Sequence, residues 1–223
     1  MKTLCFLALA VLLCGCKDNP KAAEVAPKVA PQTVPPPTTD PRPEIACFGD
    51  SLTAGFGLET GQSYPDVLQA ELDRQGYRYR VVNFGVSGDT TQDGLARLPM
   101  VLVDKPRIVV LELGANDGLR GQPVEAIKQN LAQLIEELQG SGAKVVLAGM
   151  TLPPNYGPAY IEKFRAAYTD LSKRYNLVSI PFLLQGVGGN NSLMQRDGLH
   201  PNAEGARIVA ATVLKTLTPL LKK

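Results

Sequence analysis

The sequence contains no tryptophan, one histidine and four cysteines, and three of those cysteines precede position 17. A lone His cannot build the usual His and Cys ligand set of a zinc centre, and cysteines bunched at one end cannot form a disulfide framework. No metal and no cofactor is expected. Charge of one sign is lacking as well: Lys and Arg number 23 against 21 Asp and Glu, a formal net charge of +2. That balance argues against nucleic acid or an acidic polymer as a partner. Near the N-terminus the apolar run Leu4 to Leu13 is about half the roughly 20 helical residues that a hydrocarbon core demands.

What is present falls into three parts. A basic start at Lys2 followed by that short apolar run reads as a secretory signal. Leu13-Cys14-Gly15-Cys16 resembles a bacterial lipobox. This resemblance implies a signal peptide over residues 1–15, with Cys16 acylated and serving as the new N-terminus. Several acyl chains, each buried CH₂ worth about 0.8 kcal/mol, would then hold the protein on a membrane. Lys17 is not the Asp that usually retains lipoproteins in the inner membrane, so the outer membrane of a two-membrane envelope is the expected destination. A plain cleaved signal that releases soluble protein stays open as the alternative. Residues 16–43 then carry eight of the 18 prolines and no aromatic residue. Such a segment buries too little apolar surface to offset its chain entropy and is expected to be a disordered, polyproline-like stalk.

From Glu44 to Lys223 short apolar runs alternate with amphipathic stretches. Strands are predicted at 45–48, 79–84, 108–113, 144–150 and 177–182. Helices are predicted at 64–76, at 90–103 with Pro99 interrupting or kinking it, at 124–139 capped by Gly140, at 158–175, and from an Asn202 cap to Leu217 or beyond. Val- and Ile-rich strands between amphipathic helices make a parallel sheet covered on both faces, a doubly wound α/β domain of five strands. In that architecture function sits in the loops after the strands' C-terminal ends.

Four such loops carry chemistry-bearing residues. Gly49-Asp50-Ser51-Leu52 follows the first strand, and Ser51 is either a nucleophile or a simple helix cap. Asp197-Gly198-Leu199-His200 precedes the last helix. Its i, i+3 spacing in a turn brings a carboxylate beside an imidazole, leaving the other ring nitrogen to take a serine proton. Gly88 can bring a backbone N–H close to a ligand, and Asn116 can donate a side-chain amide, although Asn-Asp-Gly is also good turn chemistry. No Gly-x-x-x-x-Gly-Lys or Gly-x-Gly-x-x-Gly phosphate loop occurs, and no Gly-x-Ser-x-Gly elbow.

Taken together, Gly-Asp-Ser-Leu-Thr-Ala-Gly, Ser-Gly-Asp-Thr-Thr, Glu-Leu-Gly-Ala-Asn-Asp-Gly-Leu-Arg-Gly, Leu-Pro-Pro-Asn-Tyr-Gly and Asp-Gly-Leu-His-Pro-Asn resemble, in order, the segments of the SGNH (GDSL) hydrolase superfamily. The similarity is greatest to its bacterial thioesterase, lysophospholipase and arylesterase group and spans residues 44–223. The resemblance implies a flavodoxin-like sheet and a serine esterase with Ser51 as nucleophile, His200 as base and Asp197 as its orienting carboxylate. The N–H groups of Ser51 and Gly88 and the side chain of Asn116 would form the oxyanion hole. Asp50, Leu52 and Asp117 would border the substrate, the two acids supporting their loops or capping helices. Leu152, Pro153 and Tyr156 are candidates for contacting an acyl chain. Gly186-Val187-Gly188-Gly189 replaces a bulkier stretch of the family and leaves chain-length preference open. The expected substrate is an acyl ester such as lysophospholipid, with thioester and aryl-ester hydrolysis alongside. Carbohydrate deacetylation, or lipid or partner binding without catalysis, is the competing reading. Cys47, in an apolar strand, is expected to be buried and inert.

Overall fold

The computed structural model describes residues 40–223. The signal, the Cys16 anchor and all of the stalk before residue 40 lie outside the described residues. Residues 40–43, expected to belong to the stalk, instead lie against the domain. Arg42 bonds the carboxylates of Asp40 and Asp73, and the carbonyl of Pro43 accepts from Arg80 N–H at 3.1 Å.

Five parallel strands, β1 (Glu44–Gly49), β2 (Arg80–Gly85), β3 (Ile108–Glu112), β4 (Lys144–Ala148) and β5 (Val178–Ile180), form one sheet in the order β2-β1-β3-β4-β5. This is the flavodoxin-like order, in which the direction of strand addition reverses between β1 and β3 and opens a crevice there. β1 and β3 are buried along their whole length. Helices α2 (Tyr64–Arg74) and α7 (Ala203–Leu217) pack together, as do α3 (Thr91–Leu102), α5 (Val124–Gly140) and α6 (Pro158–Arg174). Two short helices, α1 (Ser51–Ala54) and α4 (Ala115–Leu119), open directly off the tips of β1 and β3.

Local chemistry sets the element ends. Ser63 with Asp66 and Thr90 with Asp93 form complete capping boxes for α2 and α3, each satisfying two otherwise orphaned backbone donors. Asn202 caps α7 as expected, accepting from Glu204 and Gly205 N–H. Three expectations need correction. α3 runs through Pro99 without interruption and ends three residues later. α5 includes Gly140 and stops at Ser141. The left-handed residue behind it is Gly142 (φ +91°), where the N–H of Ala143 reaches back to Leu138 O. β5 is limited to three residues because Pro181, next in line, has no N–H to give the ladder.

Candidate active site

The tip of β1 and the loop before α7 meet over the crevice. Asp50, rather than Ser51, caps α1, accepting from Leu52 N–H at 3.0 Å. Ser51 is therefore the first helical residue, and its own N–H has no acceptor within the helix. Its hydroxyl lies 2.9 Å from His200 Nε2, and His200 Nδ1 lies 2.6 Å from Asp197 Oδ2. The other Asp197 oxygen accepts from the backbone N–H groups of Leu199 and His200. Partial burial pushes the Asp197 carboxyl up. The His200 ring and those backbone donors more than offset this, and the group is held below its ordinary value of 3.8.

The His200 loop is pinned from several sides. Gln195 N–H donates to His200 O at 2.7 Å, and the Gln195 amide donates to both Phe56 O and Pro201 O. A short antiparallel bridge joins Met194 to Pro201. The Phe56 ring lies 4.6 Å, centroid to centroid, from the imidazole and restricts its rotation.

Gly88 sits in a turn at φ +87°, a conformation that glycine adopts freely. Arg120 holds that turn through Gly88 O at 2.9 Å, and Arg97 holds its neighbour Asp89 while also donating to Phe84 O and Gly49 O. The Asn116 amide lies between Asp50 Oδ2 (3.1 Å) and Asp89 O (2.9 Å), which fixes its plane over the crevice. One of those hydrogens must be shared with any oxyanion that forms there.

Beside Ser51 and His200 opens a cavity of about 420 Å³, within the range for small-molecule sites. Asp50, Leu52, Leu152 and Pro153 line it, as expected, and so does Asn116. Two expected substrate neighbours do not. Asp117 is buried away from the cavity and accepts from the N–H and hydroxyl of Thr91, tying α4 to α3. Tyr156 turns its hydroxyl to Leu119 O at 2.8 Å and braces the Pro-Pro loop from behind. The rest of the lining includes Gly188, from the glycine-rich stretch noted in the sequence, together with Met150, Phe182, Leu184 and Met194.

Residues 47–208 match the GDSL-like Lipase/Acylhydrolase family. The chain belongs to this family. Among its relatives, the esterase TesA of Pseudomonas aeruginosa is 48% identical over 178 residues, covering 79% of this chain and 89% of that protein. The thioesterase 1/protease 1/lysophospholipase L1 of Escherichia coli K12 is 39% identical over 178 residues, covering 79% and 84%. Among solved structures, the psychrotrophic esterase EstA from Pseudoalteromonas sp., inhibited by monoethylphosphonate, superposes with a TM-score of 0.76 at 33% identity, covering 79% and 97%.

One acid of this site escaped sequence reading. Glu112, the last residue of β3, is completely buried next to Asp50 and donates nothing to the strand pattern that would mark it as special.

Proposed function

We propose that this family member hydrolyses acyl esters of medium or long chain through Ser51, with His200 as base and Asp197 as its orienting carboxylate. The observation that carries the reading is the Asp197–His200–Ser51 hydrogen-bonded chain at the mouth of an apolar cavity. Ser51 Oγ attacks the ester carbonyl carbon while its proton passes to His200 Nε2, and Asp197 stabilises the imidazolium that results. Negative charge then develops on the carbonyl oxygen, where the N–H groups of Ser51 and Gly88 and the amide of Asn116 receive it. Each such donor is typically worth about 2.7–4 kcal/mol of barrier. The C–O bond of the leaving group breaks as His200 returns the proton to it. Water, deprotonated by the same ring, hydrolyses the acyl-enzyme to free acid and Ser51.

Leu152, Pro153 and the apolar residues that line the cavity with them favour an alkyl chain over a carbohydrate acetate, since each buried CH₂ contributes about 0.8 kcal/mol. Relatives named arylesterase and lysophospholipase support the same substrate class. A fluorophosphonate probe tests the chemistry: it labels the wild type and not Ser51→Ala, and absence of labelling in folded wild type would leave only a binding role. A p-nitrophenyl ester panel beside lysophospholipid tests the substrate. A strict preference for acetate would overturn the acyl-chain reading.

We also propose that Cys16 is lipid-modified and that the enzyme works at a membrane surface, on the strength of Leu13-Cys14-Gly15-Cys16 behind an apolar run. Ester substrates then outrank CoA thioesters, which are scarce outside the inner membrane. Metabolic palmitate labelling that is equal in wild type and Cys16→Ser would remove the anchor.

A further inference from the structure

Beneath the proposed oxyanion region two acids share one small polar enclosure. Asp50 and Glu112 are each at most 1% exposed. Glu112 Oε2 accepts from the N–H of Asp50 at 3.1 Å and from the Thr53 hydroxyl at 2.8 Å, while Glu112 Oε1 receives no donor. Asp50 already accepts from Leu52 N–H on one oxygen and from the Asn116 amide on the other. The two acids are immediate neighbours, Glu112 Oε2 being one hydrogen bond away from the main chain of Asp50. Two neighbouring carboxylates in a dry site cannot both ionise, so the pair holds a proton. The bonding pattern says where it resides. Asp50 meets donors at both oxygens, so it is the acceptor. Glu112 Oε1 is the one oxygen of the pair that no donor reaches, and a proton there removes an uncompensated buried charge.

We propose that Glu112 is held as the neutral acid and is a positioning residue for ester hydrolysis, donating to Asp50 so that Asp50 keeps the Asn116 amide aimed at the oxyanion. The role rests on the ester reading given above. Two physical points support it. A second negative charge in this enclosure would oppose the oxyanion forming above it, at a dielectric where such repulsion is strong. And without Glu112 the Asp50 carboxyl would keep only Leu52 N–H and the Asn116 amide as partners, so the Asn116 plane would be held less firmly.

The surroundings favour the neutral form. Burial first, and the charge of Asp50 second, push the Glu112 carboxyl well above its ordinary range. Burial raises Asp50 only to about 6, because Leu52 N–H and the Glu112 acid pull it back. The other titratable groups that face Glu112 are Tyr64 from α2 and Tyr168 from α6, both pushed well above 10 by burial and therefore neutral. Cys47 on β1, beyond Tyr64, is pushed up to about 12. Arg97 of α3 gives its guanidinium to Asp89, Phe84 O and Gly49 O. Gly49 makes the enclosure possible, since a Cβ there would lie 2.4 Å from Glu112 Oε2 and 2.1 Å from Thr53 Oγ1.

The test uses the full chain. Glu112→Gln keeps a donor for Asp50 and an acceptor for Thr53 but cannot ionise, so kcat should stay within about threefold of wild type with KM unchanged. Glu112→Leu removes both functions, and kcat should fall about 10–100-fold with little change in KM. Infrared spectra of substrate-free wild type near neutral pH should show a protonated-carboxyl C=O band that is absent from Glu112→Gln. That band is read without turnover, so it stands or falls separately from wild-type hydrolysis of p-nitrophenyl butyrate, which judges the ester reading. Absence of the band, or a Gln variant as slow as the Leu variant, would overturn the proposal. If the Leu variant does not fold, the band and the Gln variant's rate decide.

Discussion

Ser51 Oγ and His200 Nε2 are 2.9 Å apart although 149 residues separate them in the chain. No local element makes that contact. It arises because β1 ends next to β3 at the reversal point of the sheet, and because Gln195 and Phe56 hold the His200 loop over the same strand tips. A preorganised pair of this kind removes the positional entropy that an unaligned base would have to lose in the transition state.

Asp197→Asn should therefore cost far more than its half-exposed surface position suggests. The amide keeps the shape and can still accept backbone bonds, but it no longer stabilises the imidazolium and tolerates the wrong ring tautomer. The expected loss in kcat is about 10³–10⁴-fold, with KM nearly unchanged. Steady-state hydrolysis of p-nitrophenyl butyrate measures it, and a loss below tenfold would show that the Asp197–His200 bond of 2.6 Å is not used in catalysis.

A second prediction concerns chain length. Gly188 lines the cavity, at a φ that side chains tolerate, and an added Cβ would meet Phe182 Cζ at 3.2 Å and Leu184 Cβ at 3.4 Å. Gly188→Leu should take up part of the cavity beside Phe182 and Leu184 while leaving Ser51 unchanged. Losing room for two methylenes removes about 1.6 kcal/mol, or roughly tenfold in kcat/KM, for long chains. Butyrate turnover should hold and dodecanoate turnover should drop. An equal loss for both esters would mean that the acyl chain does not reach Gly188.

Much of this arrangement is legible from residues 44–223, and the exceptions share a cause. Alternating apolar runs and amphipathic stretches disclose the sheet and helices because burial on both faces demands Val- and Ile-rich strands. The four loops stand out because Gly, Asn, Asp and His are chemically conspicuous where strands end. Glu112 stays hidden because it falls inside the predicted strand 108–113, where nothing in the apolar run assigns the acid a role. Only the tertiary fold shows that Gly49 leaves it a buried enclosure beside Asp50. Asp117 and Tyr156 sit in the same motifs as true cavity residues, and sequence proximity alone points them at the substrate. Such motif positions serve equally well to brace loops, as Thr91 and Leu119 show. Gly140 and Gly142 illustrate a smaller ambiguity: two glycines flank one helix end, and only the backbone says which takes the positive φ.

Cys47 offers a check on the core. Burial pushes its thiol up to about 12, so almost no thiolate exists near neutral pH. Ellman's reagent should not react with it in the native domain and should react fully after denaturation. Rapid native reaction would mean that β1 opens locally and that the loops it carries are less fixed than described.

The final prediction lies at the opposite end of the sheet from Ser51, where β1 begins. Glu44 is 3% exposed and pairs with Arg80 at 2.6 Å, while Arg80 also pairs with Asp104 at 3.0 Å. Burial outweighs the attraction of Arg80 and raises the Glu44 carboxyl from 4.5 to about 6. The native state then holds this proton more tightly than the unfolded chain does. Its contribution to stability is complete below pH 4.5 and is lost as pH rises through 6. Glu44→Gln removes the charge that is costly to bury, and Arg80 retains Asp104 as a partner. Above pH 6 the variant should gain about 1–2 kcal/mol, because a tenfold difference in proton affinity between folded and unfolded chain is worth about 1.4 kcal/mol. In a chain of this size that is a Tm higher by about 3–6 °C. Near pH 4 the gain should vanish, because the wild-type group is then protonated as well. Thermal scans at both pH values decide the sign: a lower Tm for Glu44→Gln at alkaline pH would mean that the Arg80 ion pair, and not desolvation, governs this end of the sheet.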